Sequence, residues 1–142
     1  MAFTAGKGYK VKIDSTEVGT FLTNVSQNLT KDALETTTFQ DGSRDFIEGL
    51  KGGTMSLQGR WDGTAATNID NVLYTAYNNP ATQPVIKLNP TGTATFSATA
   101  PGYSATCIVT AYESSAAFDG VVSFTATLQI SGDVSRLTSG AY

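Results

Sequence analysis

Residues 35–53 read ETTTFQDGSRDFIEGLKGG. A Thr-rich, strand-like opening runs to Phe39. Residues 40–53 then mix both signs of charge with four glycines and a Phe46-Ile47 pair. From Thr54 an alternating pattern resumes, with Met55, Leu57 and Trp61 on one side and Thr54, Ser56, Gln58 and Arg60 on the other. Hairpin connections usually take about 2–5 residues. The sequence therefore predicts an overlong, charged and partly apolar loop over 40–53, set between two strands of a β domain.

Period-two alternation extends outward from this stretch in both directions. Upstream, Tyr9, Val11 and Ile13 oppose Lys10 and Lys12, with a turn near Asp14-Ser15. Residues 17–25 and 32–39 read as two further strands. Downstream, strands are expected over 83–88, 93–99, 103–113 and 118–131, with a turn at 89–92, NPTG. The last is the cleanest: Val122, Phe124, Ala126, Leu128 and Ile130 share one face, and Val121, Ser123, Thr125, Thr127 and Gln129 the other. One segment, 68–78, has helical spacing: Ile69, Val72, Leu73, Ala76 and Tyr77 form a stripe. Thr67 is its expected N-cap, with Asp70 three residues on, and Asn78-Asn79-Pro80 its stop.

The totals fit one mainly β domain. The chain has 142 residues, of which 40% are hydrophobic, enough for one ordinary core. Charged residues make up 15%, well below the roughly 25% of a typical soluble domain. Thr, Ser and Gly replace them, which favours strands and turns. So little surface charge suits either a life outside cells or a polar surface covered by further copies. The net charge of −3 gives no basic footprint for nucleic acid. Lys7, Lys10 and Lys12 read as a solvated strand edge. The start, MAFTAGKGYK, lacks the apolar stretch of a signal peptide, and no run has the roughly 18 apolar residues of a membrane span. Two glycosylation-like triplets, at Asn24 and Asn28, carry no weight without secretion.

Chemistry-bearing patterns are missing. With no histidine there is no His-based triad and no imidazole metal ligand. Asp41, Ser43 and Asp45 imitate the first ligands of a calcium loop, yet Phe46 replaces its turn glycine and Gly52 its bidentate glutamate. Arg44, beside Asp41 and Asp45, reads as a salt-bridge partner, within the loop or to a neighbour. Gly49, Gly52 and Gly53 lack the Lys-Ser/Thr of a phosphate loop. The lone Cys107, with Ala105, Val109 and Ala111, reads as a small buried apolar residue. No catalytic residue, metal or cofactor is expected, and the chain does not read as an enzyme.

The polar strand faces carry mostly neutral side chains: Ser123, Thr125, Thr127 and Gln129; Thr93, Thr95, Ser97 and Thr99; and Thr54, Ser56 and Gln58 with Arg60. Threonine simply suits a wet sheet face. The same faces would also suit a conduit whose contents must not stick, since a lysine-rich wall would hold DNA through its phosphates.

Residues 34–63, LETTTFQDGSRDFIEGLKGGTMSLQGRWDG, resemble the core signature of bacteriophage major tail tube proteins. The resemblance lies in a Thr-rich strand ending in an aromatic (Thr38, Phe39), then Gly42, Arg44, Phe46 and Ile47, a Gly49-Leu50-Lys51 run, and Trp61-Asp62 after Leu57 and Gly59. It implies a single tail tube domain over 1–142, of mainly β tail-tube-type sandwich or barrel fold with one flanking helix. Residues 1–8 and 137–142 would be terminal segments that either dock on a neighbour or fray. It also implies six copies joined edge to edge in a ring, with rings stacked into a hollow virion tube, related to type VI secretion tubes, that passes DNA without sequence-specific binding. A tape-measure protein and terminator or tip proteins are the implied partners. Six subunits at −3 would place about −18 on each ring (6 × −3).

On this reading the loop 40–53 reaches the next subunit or ring. Phe46, Ile47 and Leu50 become buried there, and Asp41, Arg44, Asp45 and Lys51 fix register. Ser123, Thr125, Thr127, Gln129, Thr54, Ser56 and Gln58 are the expected lumen residues. The competing expectations are a loop that tucks Phe46 into its own core, and a monomeric β-sandwich binding module of adhesin-like or immunoglobulin-like type.

Overall fold

The computed structural model describes residues 3–79 and 81–142. In chain order the strands are β1 (Lys10–Ile13), β2 (Thr16–Glu17), β3 (Leu22–Glu35) and β4 (Phe46–Arg60). The helix α1 (Ile69–Asn78) follows, then β5 (Val85–Asn89), β6 (Gly102–Ser115) and β7 (Ser123–Leu137). All seven strands form one antiparallel sheet in the order β2-β1-β5-β6-β7-β4-β3.

That sheet must curl. β2 and β3 lie at its opposite edges, six spacings apart, or about 29 Å if flat. Yet β2 ends at Glu17 and β3 starts at Leu22. Five residue steps reach at most about 18 Å. The connection instead lies against β1, where the Val18 N–H donates to the Val11 carbonyl at 2.9 Å. The curled sheet wraps its apolar face around one core, so Val11 and Ile86 from one side meet Leu57, Phe124 and Leu128 from the other. One continuous sheet thus supplies both layers of the expected sandwich.

α1 plugs the core. Ile69 and Leu73 are fully buried, each stabilising by about 1.5–3 kcal/mol before entropy is subtracted. Val72 and Ala76 pack at its margin, and Tyr77 stays exposed. Asn68, not Thr67, occupies the N-cap position, and its side chain makes no capping bond there. The Asp70 carboxylate is engaged elsewhere: it accepts from the Trp61 indole N–H at 3.0 Å and the Tyr112 hydroxyl at 2.7 Å. Pro80, part of the expected stop, lies outside the described residues.

Several boundaries differ from expectation. Residues 17–25 and 32–39 are not two strands; the single strand β3 spans most of both. The expected loop 40–53 is half strand, since β4 begins at Phe46 and pairs with β3 from Glu35↔Phe46 onward. Only 36–45 connect them. The glycines that suggested a loop let two strands approach. A Cβ on Gly53 would collide with the Asn28 carbonyl oxygen. Residues 93–99 form no strand, only the bridges Thr95↔Ala141 and Ser97↔Ala100. Local bonds compete there: the buried Asn89 amide donates to the Thr93 carbonyl at 2.7 Å, and Thr93 Oγ1 donates to the Thr95 carbonyl at 3.0 Å. β7 begins at Ser123, because 118–122 belong to a turn in which the Gly120 N–H donates to the Ala117 carbonyl. A register shift between Val109 and Ala111 turns Tyr112 toward the core and leaves Ala111 exposed.

Cys107 is buried beside Met55, and burial pushes its thiol up to about 11. The end of the chain is bound to its own subunit. The Tyr142 hydroxyl donates to Glu17 Oε2 at 2.5 Å, and Lys12 Nζ lies 4.3 Å from the Tyr142 ring centroid. Lys12 is therefore part of a contact and not simply a solvated edge. Of the segment 1–8, residues 1 and 2 lie outside the described residues.

Candidate functional site

Four long strands, β6, β7, β4 and β3, form a panel with one face in the core and one in solvent. Register places the neutral side chains singled out in the sequence side by side. Thr54 lies opposite Gln129, Ser56 opposite Thr127, and Gln58 opposite Thr125; Arg60 faces Ser123. β3 extends each row, with Asn28 beside Thr54, Ser26 beside Ser56 and Asn24 beside Gln58. β6 adds Glu113 beside Thr125 and an exposed Ile108 beside Gln129. All seven expected lumen residues share this one face. Sequence reasoning missed Asn24, Ser26 and Asn28, although their alternation with Val25, Gln27 and Leu29 marks a half-buried strand. Gln129 also has a second role. Its Nε2 donates to the Gly53 carbonyl at 2.8 Å, just beyond the last β4–β7 pair.

The panel has two unpaired borders. Among the described residues β3 pairs with β4 alone, so the outer side of Leu22–Glu35 is open. On the other border β5 covers β6 only from Tyr103 to Thr106. Beyond that, 108–115 pair with β7 alone. Unpaired strand borders are templates for joining another chain.

The β3–β4 hairpin runs past the core. Phe46 and Ile47 are roughly half exposed and Leu50 more so. As neighbours on a strand, Phe46 and Ile47 point to opposite faces, so they do not form one apolar knob. Phe46 lies opposite Glu35, and Ile47 opposite Leu34. Asp41 folds its own turn, accepting from the Thr38 N–H at 2.7 Å. Arg44 approaches Glu35 at 3.8 Å. The Asp45 backbone holds the neck of the turn through Thr36 and Thr37. Lys51 faces Lys31, and Lys31 pairs with Glu48 at 3.1 Å. Phe46 is not tucked into the core.

Among the described residues, no group of three or more His, Cys, Asp or Glu side chains is placed to hold a metal. Nor is any helix among them long and apolar enough to cross a membrane.

No family model matches the chain, and no curated protein sequence matches it. Solved structures do. A chain from the tail of an empty gene transfer agent particle, refined with C6 symmetry, superposes with a TM-score of 0.74 at 14% identity, covering 96% of this chain and 100% of that one. The SPP1 tail tube gives 0.74 at 14%, covering 97% and 80%. This chain has the tail-tube fold. A chain of the sheath–tube complex of an extracellular contractile injection system shares it more distantly, at 0.63 and 13%, covering 92% and 88%. The tail-tube fold therefore persists here where little sequence identity does.

Proposed function

We propose that this chain is the structural subunit of a phage-type tail tube: six copies form a ring, and stacked rings form a hollow conduit that delivers DNA. The observation that carries the reading is the panel with two open borders and one face of mostly neutral polar side chains, set in a tail-tube fold. In the panel order β6-β7-β4-β3 the strand directions alternate. With an even number of strands, β3 of one copy runs antiparallel to β6 of the next. Pairing them continues the sheet without a break, and closure removes every border. Six copies of four strands give a barrel of about 24 strands (6 × 4).

The rows from Asn24–Gln58–Thr125 to Asn28–Thr54–Gln129 then line the bore. Hydroxyls and amides dominate, with Arg60 and Glu113 of opposite sign at one end, and they give DNA no lattice of cations to bind. The hairpin 36–45, with Phe46, Ile47 and Leu50 behind it, reaches the neighbouring subunit or ring. A tape-measure protein sets tube length, and terminator or tip proteins close the ends. The subunit resides in the virion tail after assembly in the bacterial cytoplasm. A monomeric binding module would leave both panel borders unpaired.

Electron microscopy of the purified protein at rising concentration tests the reading. Hollow tubes or six-membered rings are expected. Persistent monomers at high concentration would overturn it.

A further inference from the structure

Lateral pairing uses the sides of the panel and leaves its two ends for stacking, and these ends differ. At one end, the turn between β6 and β7 holds Phe118 fully exposed at its tip. Asp119 sits beside it, followed by the exposed Val121 and Val122. At the other end the panel forks. Past Thr54↔Gln129, β4 continues with β3 alone and β7 with β6 alone. The fork encloses a groove of about 550 Å³, with Leu29 and Lys51 on the hairpin wall and Val134 and Asp133 on the β7 wall.

The groove's charges are divided between its walls, lysines on the hairpin wall and Asp133 on the β7 wall. Lys31 and Lys51 face each other directly, an arrangement in which like charges repel. Glu48 engages Lys31, while Lys51 makes no ion pair among the described residues. One end of the panel therefore offers an aromatic knob with a carboxylate, and the other an apolar groove with an unengaged ammonium.

We propose that the groove receives a second copy of this chain: Phe118 of one copy seats between Leu29 and Val134 of the next, with Asp119 against Lys51. With Asp133 on the β7 wall, the incoming carboxylate belongs on the hairpin wall. Knob and groove lie at opposite ends of the same strands, so the contact is head-to-tail and repeats without closing, as a growing tube requires. The groove's own hairpin tip, with Phe39, lies at the groove end, so end-to-end stacking carries it past the junction. This inference rests on the tube reading and adds the residues that stack the rings.

The test compares the wild-type protein with Phe118→Ser, Asp119→Lys, Lys51→Glu and the double variant Asp119→Lys/Lys51→Glu. Thermal unfolding confirms that each variant folds, and electron microscopy counts rings against tubes. Phe118→Ser is expected to stop at rings. Each single charge reversal should raise the concentration needed for tubes about tenfold, and the double variant should return it to within about twofold of wild type. Normal tubes from Phe118→Ser, or a double variant no better than the singles, would overturn this contact while the tube reading stands. If the wild-type protein forms neither rings nor tubes, the tube reading fails and the contact with it.

Discussion

The Tyr112 hydroxyl donates to Asp70 Oδ1 at 2.7 Å and so ties strand β6 to the first turn of α1. The same oxygen accepts the Trp61 indole N–H from the end of β4 at 3.0 Å. One carboxylate thus joins the helix to two strands of the panel. Asp70→Ala leaves both donors without their partner and should cost about 1–3 kcal/mol. Tyr112→Phe removes a single bond and should cost about 0.5–1.5 kcal/mol. Urea denaturation of the unassembled subunit measures both. Equal effects would contradict a shared acceptor.

Alkaline pH should loosen the subunit. Burial raises the Cys107 thiol from its ordinary value of 9.0 to about 11. Burial first, then the bonds to Asp70 and Glu17, raises the Tyr112 and Tyr142 hydroxyls above their ordinary value. These groups hold their protons in the fold to higher pH than in the unfolded chain. Stability is therefore full below the unfolded values and falls as pH climbs from about 9 through 11. Denaturation midpoints between pH 7 and 11 check the direction. Cys107→Ala should flatten the early part of the fall, and a thiol reagent should label native Cys107 only as fast as the fold opens.

Phe46 and Ile47 separate assembly from stability. Both are more than half exposed, so serine at either position should shift subunit stability by no more than about 0.5 kcal/mol. Tube formation should nevertheless fail or need far more protein. Leu57→Ala is the control: Leu57 is fully buried, and its truncation should cost about 2–5 kcal/mol. Hairpin variants that unfold readily yet still form tubes would place these side chains in the fold and not between copies.

The bore can be tested by adding a cation at its middle, where the facing side chains are neutral. Thr127 sits mid-panel beside Ser56. Thr127→Lys adds one cation per subunit, about six per ring if six copies close it. Assembled tubes of this variant should retain DNA in a strongly salt-dependent way, while wild-type tubes should not. Equal retention would move this face away from the bore.

The sequence carried the strand faces well because alternation has only one period to fit. Phe124, Ala126, Leu128 and Ile130 were legible as core, and Ser123, Thr125 and Thr127 as their polar reverse. α1 was legible to within a residue from the spacing of Ile69 and Leu73. The hairpin was not. Gly49, Gly52 and Gly53 with mixed charges look like a loop, yet all three lie within β4, Gly52 and Gly53 paired to β3, because glycine lets one backbone approach another as readily as it lets a chain turn. Residues 93–99 failed the other way: their alternation suggests a strand, but Asn89 and Thr93 satisfy the backbone locally.

By itself, then, the sequence determined a mainly β chain, its buried and polar faces and the helix α1, since each follows from residue type and short-range period. Only the tertiary structure decided that one curled sheet supplies both layers, that seven neutral residues from two strands meet in register, and that the panel ends in open borders and a fork. Those features depend on which strands pair and where pairing stops. Such contacts join residues as distant as Thr54 and Gln129, and no local pattern encodes them.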